Sequence, residues 1–177
     1  MIDVAQEPPA EVVLQPGDYY FGEAPTRIKT LLGSCIALTL WHPRLAHGGM
    51  VHCLLPTRGA GRGALELSGR FVDEGLRWLL RESVRSGIDP GQCEFKLFGG
   101  SNMFAAFGLE HGGRVPIGEA NAAKAVEMME RLGLCLRVKD VGGSVHRTLL
   151  FDLANGNVWV RYGEYEPTQG SNDRDCA

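Results

Sequence analysis

The apolar runs of this chain are short, and glycine or proline closes almost every one of them. Pro16-Gly17, Gly33, Pro56, Gly87, Gly99-Gly100, Gly133 and Asn155-Gly156 each follow such a run. Glycine supplies positive φ at tight turns, and proline continues neither a helix nor a central strand. A chain punctuated this way folds into many short elements joined by sharp corners. Its 24 glycines in 177 residues, about twice the usual ~7%, belong to that pattern.

Between the breaks, residues 11–15, 27–32, 36–41, 50–55, 94–98, 134–138, 147–153 and 157–162 read as strands, with residues 42–49 as a loop. The runs at 27–32, 36–41 and 50–55 suggest a meander whose first corner carries Cys35. Phe71, Val72, Leu76, Leu79, Leu80 and Val84 recur at three- and four-residue intervals, which predicts an amphipathic helix over residues 70–86 stopped by Gly87. A second helix is expected over residues 119–132, with Ala122, Ala123, Val126, Met129 and Leu132 toward the core. Asn155-Gly156 between two strand runs signals a hairpin. The fold expected is α+β: a mixed, largely antiparallel sheet packed with two main helices. Residues 11–163 form its single domain, and the polar residues 1–10 and 164–177 read as flexible tails.

Composition narrows the function classes. At 44% hydrophobic and 22% charged residues the chain is globular, and no apolar stretch approaches the roughly 18 residues of a membrane span. A net charge of −3 gives no general attraction to nucleic acid or anionic lipid. The N-terminus has neither the basic nor the apolar region of a secretion signal, so a cytoplasmic protein with reduced thiols is expected.

Gly99-Gly100-Ser101-Asn102 follows a strand, but no GxxxxGK[ST] or helix-opening GxGxxG accompanies it, so no nucleotide site is expected. His42, His47 and His52 lie five apart near Cys35 and Cys53. Zinc sites are usually announced by tight CxxC or HxxxH pairs; neither occurs, and His42 and His47 read as solvated loop residues. No metal and no cofactor is expected. Cys35 differs from the other thiols in following Gly33-Ser34 at a corner where the backbone turns sharply and its N–H groups can face an oxyanion. His52 lies in an apolar strand one loop away. Together they form a candidate Cys–His dyad, set against the reading of a core Cys with a satisfied structural His. Cys53, adjacent to His52, points to the opposite sheet face. Cys93 and Cys135 read as core, and Cys176 lies in the tail.

These residues carry a resemblance. Thr30-Leu31-Leu32-Gly33-Ser34-Cys35-Ile36-Ala37, Gly48-Gly49-Met50-Val51-His52 and Leu55-Pro56 resemble the CheD family of chemoreceptor glutamine deamidases. So do Phe98-Gly99-Gly100-Ser101-Asn102-Met103-Phe104, Ile117-Gly118-Glu119-Ala120-Asn121 and Asp140-Val141-Gly142-Gly143, in the family's order. The resemblance implies a cysteine hydrolase that converts glutamines of methyl-accepting chemotaxis receptors to glutamates, with Cys35 and His52 at the catalytic positions. It also implies a catalytic threonine just upstream. Lys29 stands six residues before Cys35, where that threonine is expected, so Thr30 becomes the candidate. Val51, and Ser144-Val145-His146-Arg147 after the double glycine, are further departures.

Ser34 and Gly33 are the expected oxyanion-side backbone, and Gly99, Gly100, Ser101 and Asn102, with the loop at residues 142–144, the expected cleft walls. A CheC-type phosphatase is an implied partner. Two other readings stand beside deamidation: hydrolysis of a glutamyl methyl ester by the same dyad, and a receptor- or phosphatase-binding adaptor with little catalysis.

Overall fold

The computed structural model describes residues 8–59, 66–102 and 115–164. Nine strands and two helices follow in the order β1 (Ala10–Leu14), β2 (Tyr19–Glu23), β3 (Thr26–Leu32), β4 (Ile36–His42), β5 (His47–Cys53), α1 (Val72–Arg85), β6 (Glu94–Gly99), α2 (Ile117–Arg131), β7 (Leu136–Val141), β8 (Arg147–Asp152) and β9 (Val158–Tyr162). The α+β class expected from the sequence holds. The strands, however, divide between two mixed sheets, β1-β3-β8-β9 and β2-β5-β4-β6-β7.

That division corrects the expected meander. β4 pairs antiparallel with β5 and β6, whereas β3 pairs with β1 and β8 in the other sheet. The chain therefore changes sheets at residues 33–35, and the corner carrying Cys35 is a crossing point. Residues 42–49 hold little loop: β4 and β5 run on to pair His42 with His47. Tyr19–Glu23, not read from the sequence, adds an edge strand beside β5.

Burial follows from three layers. Ile36, Leu38 and Leu40 of β4 and Val51 and Cys53 of β5 pack with Leu76 and Leu79 of α1 and Ala125 and Met129 of α2. The alternate residues Ala37, Trp41 and Met50 face the first sheet, meeting Ile28, Leu32, Leu149 and Phe151. β4 is covered on both faces, which explains why all seven of its residues are buried.

Within α1, Val84 is 62% exposed despite its place in the apolar period, because the buried stripe runs through Val72, Leu76, Leu79 and Ser83. In α2 the buried face is Gly118, Asn121, Ala122, Ala125, Met128 and Met129. Ala123 and Leu132, expected inside, face outward.

Three further expectations change. His42 is buried, and its Nδ1 accepts from the Leu45 N–H at 3.2 Å, bracing the β4–β5 turn. Cys93 is half-buried and Cys135 exposed, since each lies beside a strand and not within it. Cys176 and both expected tails beyond residues 8–164 lie outside the described residues.

Candidate active site

Alternation along β3 buries Thr26, Ile28, Thr30 and Leu32 and turns Lys29 out toward Glu11, 3.7 Å away. Of the two positions weighed for a hydroxyl partner, only Thr30 points between the sheets. On the facing sheet, His52 pairs with Ala37, and Cys35 lies two residues before Ala37. Period-2 geometry thus places Cys35 and His52 diagonally on one face, and Cys53 on the helix-covered face.

Thr30 Oγ1 lies 2.9 Å from the Leu14 carbonyl and 2.8 Å from His52 Nδ1. A hydroxyl has one hydrogen, and the Leu14 carbonyl can only accept. Both bonds are made when Thr30 donates to Leu14 and accepts from Nδ1–H. That tautomer leaves the lone pair on Nε2, the ring atom that is buried with no hydrogen-bond partner among the described residues.

Cys35 and His52 share a cavity of about 780 Å³, walled also by Gly33, Ser34, Ser101 and Asn102. Burial pushes the Cys35 thiol above its ordinary value. Burial likewise lowers His52 to about 4, against the opposing pull of the Leu14 carbonyl and Asp18. Both shifts favour a neutral thiol beside a neutral imidazole at pH 7. The pair is therefore not a resting thiolate–imidazolium ion pair on these shifts.

Gly99 and Gly100 do not border the cavity. They stand behind Cys35: the Gly100 N–H donates to the Cys35 carbonyl at 2.8 Å and the Ser101 N–H to that of Gly33 at 3.0 Å. Gly99 has φ +103°, and a Cβ there would collide with the Cys35 carbonyl. The Ser101 hydroxyl donates to the Val145 carbonyl at 2.7 Å and accepts from Arg147 Nη1 at 2.6 Å, so its hydrogen is committed. Arg147, buried and bonded to Asp140 at 3.0 Å, ties that loop to the end of β7. The expected wall at residues 142–144 is replaced by His146.

Sequence reasoning missed Pro16, Leu31, Val115, Pro116, Ile117 and Gly118, which complete the wall. Pro116 opening a helical period was the available signal. The Leu14 carbonyl had none, since a backbone acceptor carries no residue signature. Met103 and Phe104 lie outside the described residues.

A thiol and an imidazole flank the cavity, and a hydroxyl holds the imidazole, which are the residue types that cysteine hydrolases use. The chain belongs to the CheD family: residues 54–162 match the family model described as CheD chemotactic sensory transduction. It is 41% identical over 151 residues to the probable chemoreceptor glutamine deamidase CheD 2 of Albidiferax ferrireducens, covering 85% of this chain and 86% of that one. A match of that length within 177 residues takes in both Cys35 and His52. It is also 43% identical over 162 residues to the probable chemoreceptor glutamine deamidase CheD 1 of Chromobacterium violaceum, covering 89% and 82% of the two chains. To the Pseudomonas savastanoi pv. phaseolicola protein of that name, CheD, it is 42% identical over 158 residues, covering 89% and 87%.

Proposed function

We propose that this protein is a cysteine-dependent protein-glutamine deamidase acting on selected glutamines of methyl-accepting chemotaxis receptors. The observation that carries the reading is that Cys35 and His52 line one cavity, with His52 Nε2 left without a hydrogen-bond partner among the described residues. The relatives' name, chemoreceptor glutamine deamidase, supplies the substrate.

His52 Nε2 takes the Cys35 proton as Sγ bonds to the glutamine Cδ, and the carbonyl π electrons move to oxygen. The oxyanion is held by N–H groups at Ser34 and Cys35. When it collapses, the Cδ–N bond breaks, and Nε2 returns its proton to the departing nitrogen, giving ammonia and a thioester. Water then attacks the thioester while Nε2 accepts its proton; the Cδ–S bond breaks and glutamate leaves. The proton on Nε2 returns to the thiolate. Thr30 keeps Nε2 as the basic nitrogen through both halves. Neither metal nor cofactor enters any step.

A glutamyl methyl ester would pass through the same thioester, with methanol in place of ammonia. The apolar rim at Leu31, Val115 and Ile117 suits the flank of a receptor helix. The cytoplasm, whose reducing conditions preserve a free thiol, is the proposed setting, and a CheC-type phosphatase the proposed further partner.

Intact-mass measurement of a receptor cytoplasmic fragment tests the reading. Wild type adds about one mass unit per converted glutamine and releases equimolar ammonia, and Cys35→Ala does neither while keeping its fold. Ammonia release by Cys35→Ala would refute it; methanol release from a methylated fragment without ammonia from the amide would favour the esterase.

A further inference from the structure

Asn121 is fully buried on α2, yet its Oδ1 has no hydrogen-bond partner among the described residues. Its amide nitrogen donates to the Ser34 carbonyl at 3.2 Å and to the Leu54 carbonyl at 2.9 Å. An unpaired buried acceptor destabilises the fold. A residue that carries this cost for two bonds to backbone near a nucleophile calls for an account of what those bonds hold.

The Ser34 carbonyl and the Cys35 N–H belong to one peptide plane. In a trans peptide the two point in opposite directions, so fixing the carbonyl fixes the N–H. The neighbouring carbonyls are held by one segment: that of Gly33 by the Ser101 N–H, and that of Cys35 by the Gly100 N–H. Three consecutive carbonyls are therefore anchored, two by backbone and the middle one by a side chain. The N–H groups of Ser34 and Cys35 find no acceptor among the described residues, and both residues border the cavity.

We propose that Asn121 is a positioning residue that orients the Cys35 peptide so that its N–H receives the oxyanion formed when Cys35 attacks a carbonyl carbon. Its second bond, to the Leu54 carbonyl just beyond β5, ties the corner to the strand that carries His52. The inference rests on Cys35 being the nucleophile and deepens that reading without depending on which acyl group the protein accepts.

Two reagents separate orientation of the N–H from placement of the thiol. Acylation of Cys35 by p-nitrophenyl acetate passes through a tetrahedral oxyanion, whereas alkylation by iodoacetamide displaces iodide and forms none. In Asn121→Leu, of similar size but unable to donate, acylation is expected to fall ten-fold or more while alkylation stays within about two-fold of wild type. Oxyanion-hole donors typically contribute on the order of 100-fold, and an indirect effect is smaller.

Asn121→Ala is measured in parallel should the leucine variant not fold. Unchanged acylation, or an equal fall in both rates, overturns the proposal; the latter result would mean that Asn121 only keeps the corner in place. Failure of wild type to deamidate a receptor fragment would strike the proposed substrate and leave this comparison standing.

Discussion

Thr30 and His52, on strands of different sheets, meet at 2.8 Å in the buried space between them. The bond joins the two sheets at the level of Cys35. It also decides which imidazole nitrogen is free.

Thr30→Val preserves shape but removes the acceptor for Nδ1–H. Turnover on a receptor fragment is expected to drop roughly 10- to 100-fold, because the ring can then adopt the unproductive tautomer. Thr30→Ser should restore most of the rate. Equal activity in the valine and serine variants would remove Thr30 from the site.

The pH dependence of Cys35 alkylation should distinguish a neutral pair from an ion pair. Burial raises the thiol and lowers the imidazole to about 4. The iodoacetamide rate is therefore expected to climb above pH 9 without a plateau between pH 5 and 8. A low-pH plateau would mean a resting thiolate–imidazolium pair.

Cys53→Ala should leave deamidation within about two-fold of wild type, because its side chain lies on the helix-covered face. It should cost about 1 kcal/mol of stability through the lost packing of a fully buried atom. Loss of turnover with the fold intact would contradict the division of faces.

Stability should fall with acid in a window set by His52. Its folded value of about 4 lies below the unfolded value of roughly 6.5. The unfolded chain therefore binds the proton first. The full contribution is present above pH 6.5 and is lost as pH falls toward 4, on the order of 3 kcal/mol in all. Urea midpoints across that range measure it, and His52→Gln should flatten the slope. An unchanged slope would assign the acid sensitivity to other groups.

Gly99→Ala places a side chain at φ +103° against the Cys35 carbonyl. The strain alone is about 1–3 kcal/mol, and the collision displaces the corner that carries Cys35. Both the urea midpoint and turnover should fall. A fully active variant would show that the corner tolerates movement.

Much of the candidate site's geometry was legible because period-2 alternation needs no knowledge of the partner strand. It separated Cys53 from His52 correctly, and the short runs around Gly33-Ser34 marked the corner. It also holds Thr30 inward and Lys29 outward, once the buried face of β3 is known. Sheet membership was less legible. Residues 27–32 carry two basic residues and residues 36–41 none, but nothing local says that the chain between them changes sheets. Cys93 and Cys135 misled because apolar neighbours mark a strand's vicinity without showing which residue lies inside it. Leu14 and Asn121 escaped because what they contribute, a carbonyl and a bond to a carbonyl, appears only when distant segments meet.

The crossing between sheets at residues 33–35 has a consequence for how activity is acquired during folding. A chain that has closed only the β4–β5 hairpin holds Cys35 and His52 near each other, but lacks Thr30, Leu14 and the helix bearing Asn121. The bond from Asn121 to Ser34 spans 87 residues, a loop whose closure cannot precede assembly of the later half of the chain. Partly folded molecules should thus hold Cys35 and His52 near each other without the rest of the site, which should be complete only with the last long-range contacts.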